Sequence, residues 1–281
     1  MEYQEKVLRL KEHLRHLLEQ GLCVAFSGGV DSAVLLQTAE VLRREQKLPE
    51  GNLRAVLFAT RLHPPADEED AREQAKAMGV PLEVVRVDEF SDPDILQNPP
   101  DRCYRCKKLL FQSLLTFAKE NHLGATADGT NFDDLSEYRP GLRALRELGI
   151  QSPLAQVEMT KIEVRRLAEE YGLRVSKKPS SPCMATRLPY GDRLTPEKLR
   201  QAAEGEALLK EWGFPVNRVR IYGNLARVEI PKGEFAKFLE QAEEITKGLK
   251  ALGILYVTLD LQGFRSGSMD EALSMRFENS L

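Results

Sequence analysis

The chain has 281 residues, with 40 Lys plus Arg against 43 Asp plus Glu, and so a formal net charge of −3. At ~150 residues per domain this length makes one large or two modest domains, with enough core to do without disulfide staples. The charge balance argues against a broad nucleic-acid surface, the content of 42% hydrophobic residues argues against disorder, and no stretch approaches the roughly 20 apolar residues that cross a bilayer. The first residues alternate charge with leucine and form no apolar leader, so a cytoplasmic protein is expected. Its four cysteines, Cys23, Cys103, Cys106 and Cys183, are then better suited to burial, catalysis or metal binding than to disulfides.

From Tyr3 to Glu19, Val7, Leu10, Leu14, Leu17 and Leu18 recur near the helical period, which predicts an amphipathic helix. An apolar strand, Leu22 to Phe26, runs into a glycine turn and a helix from Val30 to Arg44. Strands at Leu53–Thr60, Leu82–Val87 and Gly124–Asp128 alternate with helices at Pro65–Met78 and Cys106–Glu120, and helices at Arg139–Leu148 and Thr160–Tyr171 follow. This alternation predicts an α/β fold, a parallel sheet with helices on both faces, whose ligands bind at the carboxyl ends of the strands. Lys177 to Arg193, with three prolines, is a long loop. Thr195-Pro196-Glu197 then starts a helix to Trp212, Thr at the N-cap and Pro at the first turn. A smaller α/β unit follows, with strands at Val216–Tyr222, Leu225–Ile230 and Ile254–Leu259 and one helix from Glu234 to Leu249.

Ser27-Gly28-Gly29-Val30-Asp31-Ser32 joins the first strand to its helix. Glycines there let backbone N–H groups approach an anion, and the helix N-terminus adds positive potential. The hydroxyls of Ser27 and Ser32 can donate to phosphate, and Asp31 can hold Mg²⁺. The turn lacks the lysine of a Walker loop and the spacing of a dinucleotide fingerprint. It resembles the pyrophosphate-binding loop of the PP-loop ATP pyrophosphatases, which cleave ATP between the α and β phosphates to adenylate a substrate. Gly129-Thr130-Asn131-Phe132-Asp133-Asp134 follows another strand end. It reads either as a helix-capping Asx turn or as a group reaching ATP, Mg²⁺ or a polar substrate.

Cys103-Tyr104-Arg105-Cys106 places two thiols at a helix start, and Cys183 lies in the proline-rich loop Pro179 to Arg187. A three-thiolate [4Fe-4S] cluster, a zinc site, a redox dithiol and core filling are all open on spacing alone. Cys23, inside an apolar strand, reads as buried. Arg218 and Arg220 alternate along a strand and can fork onto a phosphate or carboxylate, or simply face solvent. Arg187, four residues past Cys183, offers a third cation.

Taken together, the two turns, the segment Pro182 to Gly191 and the C-terminal Tyr256 to Arg265 resemble the LarE family over nearly the full length. The resemblance implies a PP-loop domain over 1–178, a cysteine-bearing linker over 179–194 and a C-terminal substrate or oligomerisation domain over 195–281. It implies an ATP-dependent sulfur transferase that adenylates a carboxylate of a pyridinium dicarboxylate mononucleotide and makes a thiocarboxylate. Expected partners are that substrate, a sulfide donor and further copies of the chain. Catalytic roles fall to Asp31, Asp134, Cys183 and Arg187, and binding roles to Ser27 through Ser32, Gly129, Thr130, Asn131, Arg218, Arg220 and Glu206; Asp260 matches a further acidic position of the family.

In one branch of the family a single cysteine, matching Cys183, surrenders its own sulfur. Cys103 and Cys106 make this chain resemble instead the branch in which three cysteines hold a [4Fe-4S] cluster and an exogenous sulfide is delivered. A cluster-dependent tRNA thiolase is the alternative, against which the net charge weighs. A nucleotide or metal sensor is a second alternative, against which the intact Ser27, Asp31 and Ser32 set weighs.

Overall fold

The computed structural model describes residues 2–63, 65–136, 139–177, 183–265 and 267–269. Positions 179–182 of the expected linker, and with them half of the proline-rich loop, lie outside the described residues, as does the chain beyond 269. Contacts divide the chain into two compact units, Met1–Ser91 with Asp101–Ser181, and Asp92–Pro100 with Pro182–Leu281.

The first unit is a parallel four-stranded sheet in the order β3-β2-β1-β4. Its strands are β1 (Leu22–Ala25), β2 (Leu53–Ala59), β3 (Leu82–Arg86) and β4 (Ala125–Ala127). The helices are α1 (Tyr3–Glu19), α2 (Val30–Glu45) and α3 (Pro65–Met78) on the way to β3. A four-residue α4 (Pro93–Leu96) is part of the second unit; α5 (Arg102–Glu120), α6 (Gly141–Glu147), α7 (Pro153–Gln156) and α8 (Lys161–Glu170) complete the first. Side chains alternate across each strand, and the two faces bury different partners. Leu22, Val24, Leu53, Ala55 and Leu57 pack into a core with α1, α2 and α8. Cys23 and Val56 point into a second core with Leu110, Phe111 and Leu114 of α5 and Leu145 of α6. The doubly covered parallel sheet expected from the alternation is thus borne out.

The second unit contains α9 (Pro196–Glu211), β5 (Arg218–Tyr222), β6 (Leu225–Glu229), α10 (Phe235–Glu240), α11 (Ala242–Ala251) and β7 (Tyr256–Leu259). β5 and β6 form an antiparallel hairpin and β7 runs parallel to β6. Thr195 caps α9 as expected, accepting from the Lys198 N–H at 3.2 Å. The helix expected from Glu234 to Leu249 is instead two helices broken at Gln241, where φ and ψ leave helical values at −103° and 13°. β5 starts two residues late because Asn217 turns inward, its amide donating to the Phe214 and Glu206 carbonyls.

The segment Asp92–Pro100 joins this unit by hydrogen bonds remote in sequence. Buried Asn98, at φ 51°, donates through its side chain to the carbonyls of Leu188 (3.2 Å) and Pro189 (2.7 Å) and accepts from the Gly191 N–H at 2.9 Å. Leu96 accepts from the Leu194 N–H at 2.8 Å. The residues just before Cys103 are therefore fastened to those just after Cys183.

Candidate functional site

In the first unit a cavity of about 740 Å³ lies at the carboxyl ends of β1, β2, β3 and β4. Ser27, Asp31 and Ser32 line it from the first turn, and Asp128, Gly129, Thr130 and Asp134 from the second. Sequence places these two turns 100 residues apart, and parallel pairing of β1 with β4 brings them together. Their contact is close: a Cβ on Gly129 would stand 2.7 Å from the Ser32 nitrogen and 3.0 Å from its Cα. Gly28 takes φ +70°, the left-handed region that favours glycine.

Within the first turn the hydroxyls satisfy one another. Ser27 Oγ and Ser32 Oγ are 3.2 Å apart, the Ser27 N–H donates to Ser32 Oγ at 3.3 Å, and Ser32 donates to the Gly29 carbonyl at 3.1 Å. Gly29 is the N-cap of α2 and makes no side-chain cap, so the N-terminal amides of a 16-residue helix face the cavity end of β1 with Val30 and Asp31 in the first turn. Donors and positive potential meet there, which suits a phosphate.

Asp31, Asp128 and Asp134, which line the cavity, each have a cation close by. Asp31 accepts from the Asn131 amide at 3.1 Å and from the Lys161 ammonium. Asp128 accepts from Thr130 at 2.5 Å and Ser152 at 2.6 Å, with Lys107 Nζ 3.8 Å away. Asp134 pairs with Arg139 at 2.9 Å and accepts from the Asn131 N–H at 3.0 Å. Burial holds the Asp134 carboxyl above its ordinary range, opposed by the Asn131 N–H and the charge of Arg139 and reinforced by Asp31. Asn131 Oδ1 accepts from the N–H groups of Asp133 and Asp134, so the Asx turn and the ligand-facing reading coexist in one element. Lys161, Asp128, Lys107 and Arg139 went unmarked by the sequence, since each takes its place through a partner on another element or turn: Lys161 on Asp31, Lys107 on Asp128, Arg139 on Asp134. A lysine just after a Thr N-cap was the one available signal for Lys161.

The cysteines separate by burial. Cys23 is fully buried and its thiol is pushed up to about 12 by desolvation, whereas Cys103, Cys106 and Cys183 are half-buried; none of the four is in a disulfide. Cys103 and Cys106 occupy the first turns of α5, and the Arg102 guanidinium, itself buried, donates to Cys103 Sγ at 3.6 Å. Cys183 caps a short 3-10 turn in the second unit. Three accessible thiols are a donor set that suits iron. Among the described residues, no three His, Cys, Asp or Glu side chains gather closely enough to hold a metal ion.

In the second unit the expected cations are largely engaged. Arg187 holds Glu206 through two hydrogen bonds, and Arg220 holds Glu229 at 2.6 and 3.2 Å while donating to the Thr186 carbonyl at 2.5 Å. Asp260 lies 3.6 Å from Arg227 and 3.7 Å from Arg265. Among the described residues Arg218 makes no ion pair; it donates to the Asn217 carbonyl and lies over the Phe264 ring at 5.2 Å. Burial, with Arg187 and Arg220 nearby, lowers its pKa, the mark of a cation short of an anion.

A strand-to-helix glycine turn at a sheet's carboxyl edge, facing a Gly-Thr-Asn turn across a cavity, defines a PP-loop nucleotide-binding protein, and the PP-loop domain family matches residues 2–98. The chain is 37% identical over 256 residues to pyridinium-3,5-bisthiocarboxylic acid mononucleotide synthase of Lactiplantibacillus plantarum, covering 91% of each protein. It is also 37% identical to an uncharacterised Synechocystis protein, over 89% of this chain and 92% of that one. A tRNA-specific 2-thiouridylase of Methylobacterium nodulans matches at 32% identity, over 63% of this chain and 56% of the relative. The chain belongs to the LarE family of PP-loop enzymes. Among the described residues no helix is long and apolar enough to cross a membrane.

Proposed function

We propose that this chain is an ATP-dependent sulfurtransferase that adenylates a ring carboxylate of a pyridinium dicarboxylate mononucleotide and converts it to a thiocarboxylate, in a reducing cytoplasm. The observation that carries the reading is the pairing of the Ser27–Ser32 and Gly129–Asp134 turns around one cavity, in a chain that matches the Lactiplantibacillus synthase over 91% of each protein.

ATP would lie in the cavity of the first unit with its β and γ phosphates against Gly28, Gly29 and the amides of α2. The hydroxyls of Ser27 and Ser32, now bonded to each other, turn to phosphate oxygens without a change of backbone. Asp31 and Asp134 are the carboxylates that would hold Mg²⁺, the ion supplying charge neutralisation of the leaving pyrophosphate. A carboxylate is a poor electrophile; once its oxygen bears AMP, a sulfur nucleophile expels AMP and leaves the thiocarboxylate. The anionic substrate would be met by Arg218, which has no carboxylate partner among the described residues, next to the Arg187–Glu206 and Arg220–Glu229 pairs.

Cys103, Cys106 and Cys183 are the residues we assign to a [4Fe-4S] cluster. Bound there, such a cluster would leave one iron open to an exogenous sulfide, the sulfur to be transferred. Two thiols beyond Cys183 support this over sacrifice of Cys183 itself, because a lone donor thiol needs no partners. The experiment is pyrophosphate release measured anaerobically with the pyridinium mononucleotide, with tRNA and with neither. Release that depends on the pyridinium compound supports the reading; dependence on tRNA favours the thiolase, and release with neither refutes both.

A further inference from the structure

The Ser27–Ser32 turn is buttressed from α3. Ala71 and Gln74, neighbours on one face of that helix, both stand against Gly28: a Cβ there would lie 3.3 Å from the Ala71 Cβ and 3.4 Å from Gln74 Nε2. The half-buried Gln74 side chain donates from Nε2 to the Gly28 carbonyl at 3.1 Å, 46 positions away in sequence. A carbonyl only accepts, so the NH2 end of the amide must face it. The other end, Oε1, is buried and has no hydrogen-bond partner among the described residues. An unmet buried acceptor carries a desolvation cost that an apolar side chain of the same shape avoids. Gln74 does not line the cavity, so contact with a ligand does not account for that cost.

Resting on the nucleotide reading above, we propose that Gln74 is a positioning residue for the pyrophosphate turn, acting through the Gly28–Gly29 peptide. A trans peptide points its C=O and the following N–H in opposite directions. With the Gly28 carbonyl fastened to Gln74, the Gly29 N–H is aimed away from that side chain and towards Ser27 Oγ, 3.4 Å off, on a residue that does line the cavity. Two successive glycines, the first at φ +70°, leave this peptide free to rotate unless something outside the turn holds it. Gln74 supplies that hold. The phosphate donor is therefore oriented before the anion arrives, and its ordering cost falls on folding and not on binding.

Calorimetric titration with inorganic pyrophosphate, ATP and adenosine, beside urea unfolding, tests it in wild type, Gln74→Met and Gln74→Leu. Wild-type protein that binds neither pyrophosphate nor ATP would dispose of the nucleotide reading itself, before Gln74 is in question. If wild type binds, Gln74→Met should lose about three- to tenfold in affinity for pyrophosphate and for ATP alike, the worth of one neutral hydrogen bond, with adenosine affinity unchanged. Its unfolding midpoint should stay close to that of wild type, because the bond lost to Gly28 is offset by removal of the unmet acceptor. Gln74→Leu should behave in the same way. Unchanged pyrophosphate affinity, an equal loss for adenosine, or failure of both variants to fold, which would make Gln74 a support of the fold alone, would each overturn the proposal.

Discussion

Arg187 and Glu206 form a two-pronged ion pair, Nε to Oε1 at 2.7 Å and Nη2 to Oε2 at 2.9 Å, with both side chains nearly buried. The Val219 N–H also donates to Glu206 Oε1 at 3.2 Å, and Arg187 Nη1 donates to Thr186 Oγ1 at 2.9 Å. One carboxylate on α9 therefore fixes both the turn that carries Cys183 and the strand that carries Arg218. Removing it leaves a guanidinium buried without its counter-charge.

Glu206→Ala is expected to destabilise the second unit by roughly 3–5 kcal/mol, and Arg187→Met with Glu206→Leu by much less, because the pair is costly to break and cheap to replace. Urea unfolding followed by the fluorescence of Trp212, the single tryptophan, measures both. A double variant less stable than Glu206→Ala would contradict the account.

Gly129→Ala should abolish ATP binding. Its Cβ would meet backbone atoms of Ser32, which cannot move without displacing the first turn of α2, and overpacking of this kind costs about 1–3 kcal/mol. Gly28→Val should do the same by another route, placing a β-branched residue at φ +70° with its Cβ 3.3 Å from that of Ala71. Circular dichroism checks folding and calorimetry checks affinity; either variant binding ATP as wild type does would count against the two turns as the nucleotide site.

In metal-free protein, iodoacetamide near pH 8 should label Cys103, Cys106 and Cys183 and spare Cys23. A thiol pushed up to about 12 is thiolate in only about one molecule in ten thousand at that pH, and this one has no exposed surface besides. Peptide mass spectrometry after partial labelling decides it. Labelling of Cys23 as fast as Cys103 would mean that the sheet face under α5 is open.

Asp134 gives a pH signature. Its carboxyl is raised in the folded state, so folded protein holds the proton more tightly than unfolded chain does. Stability should therefore fall as pH rises from the ordinary carboxylate range through the raised value, then level off. Asp134→Asn should lack that fall, and denaturation midpoints over the acid range test it. A wild-type slope identical to that of Asp134→Asn would remove Asp134 as its source.

The sheet and its turns were legible because their signals are local. Leu22–Ala25 is a continuous apolar run into Ser27-Gly28-Gly29, and the Tyr3–Glu19 helix shows its stripe directly. What escaped depends on distant pairing. Asp92–Pro100 reads as a connector within the first unit, and only the bonds of Asn98 to Leu188 and Pro189 assign it to the second. The break at Gln241 leaves the apolar periodicity of 234–249 intact, so a pattern of side chains could not reveal it. Arg187 and Arg220 were legible as cations, but not their engagement by Glu206 and Glu229, which lie 19 and 9 positions away on other elements.

The central claim is that ATP activates a pyridinium carboxylate for attack by sulfur that does not originate in the polypeptide. The direct test is mass spectrometry of both product and protein after anaerobic turnover with ATP, magnesium, isotopically labelled sulfide and the pyridinium dicarboxylate mononucleotide. The account predicts AMP and pyrophosphate, a product in which labelled sulfur replaces one carboxylate oxygen, and a Cys183 peptide of unchanged mass. Unlabelled sulfur in the product with dehydroalanine at Cys183 would contradict it, leaving the adenylation chemistry in place and making Cys183 the donor.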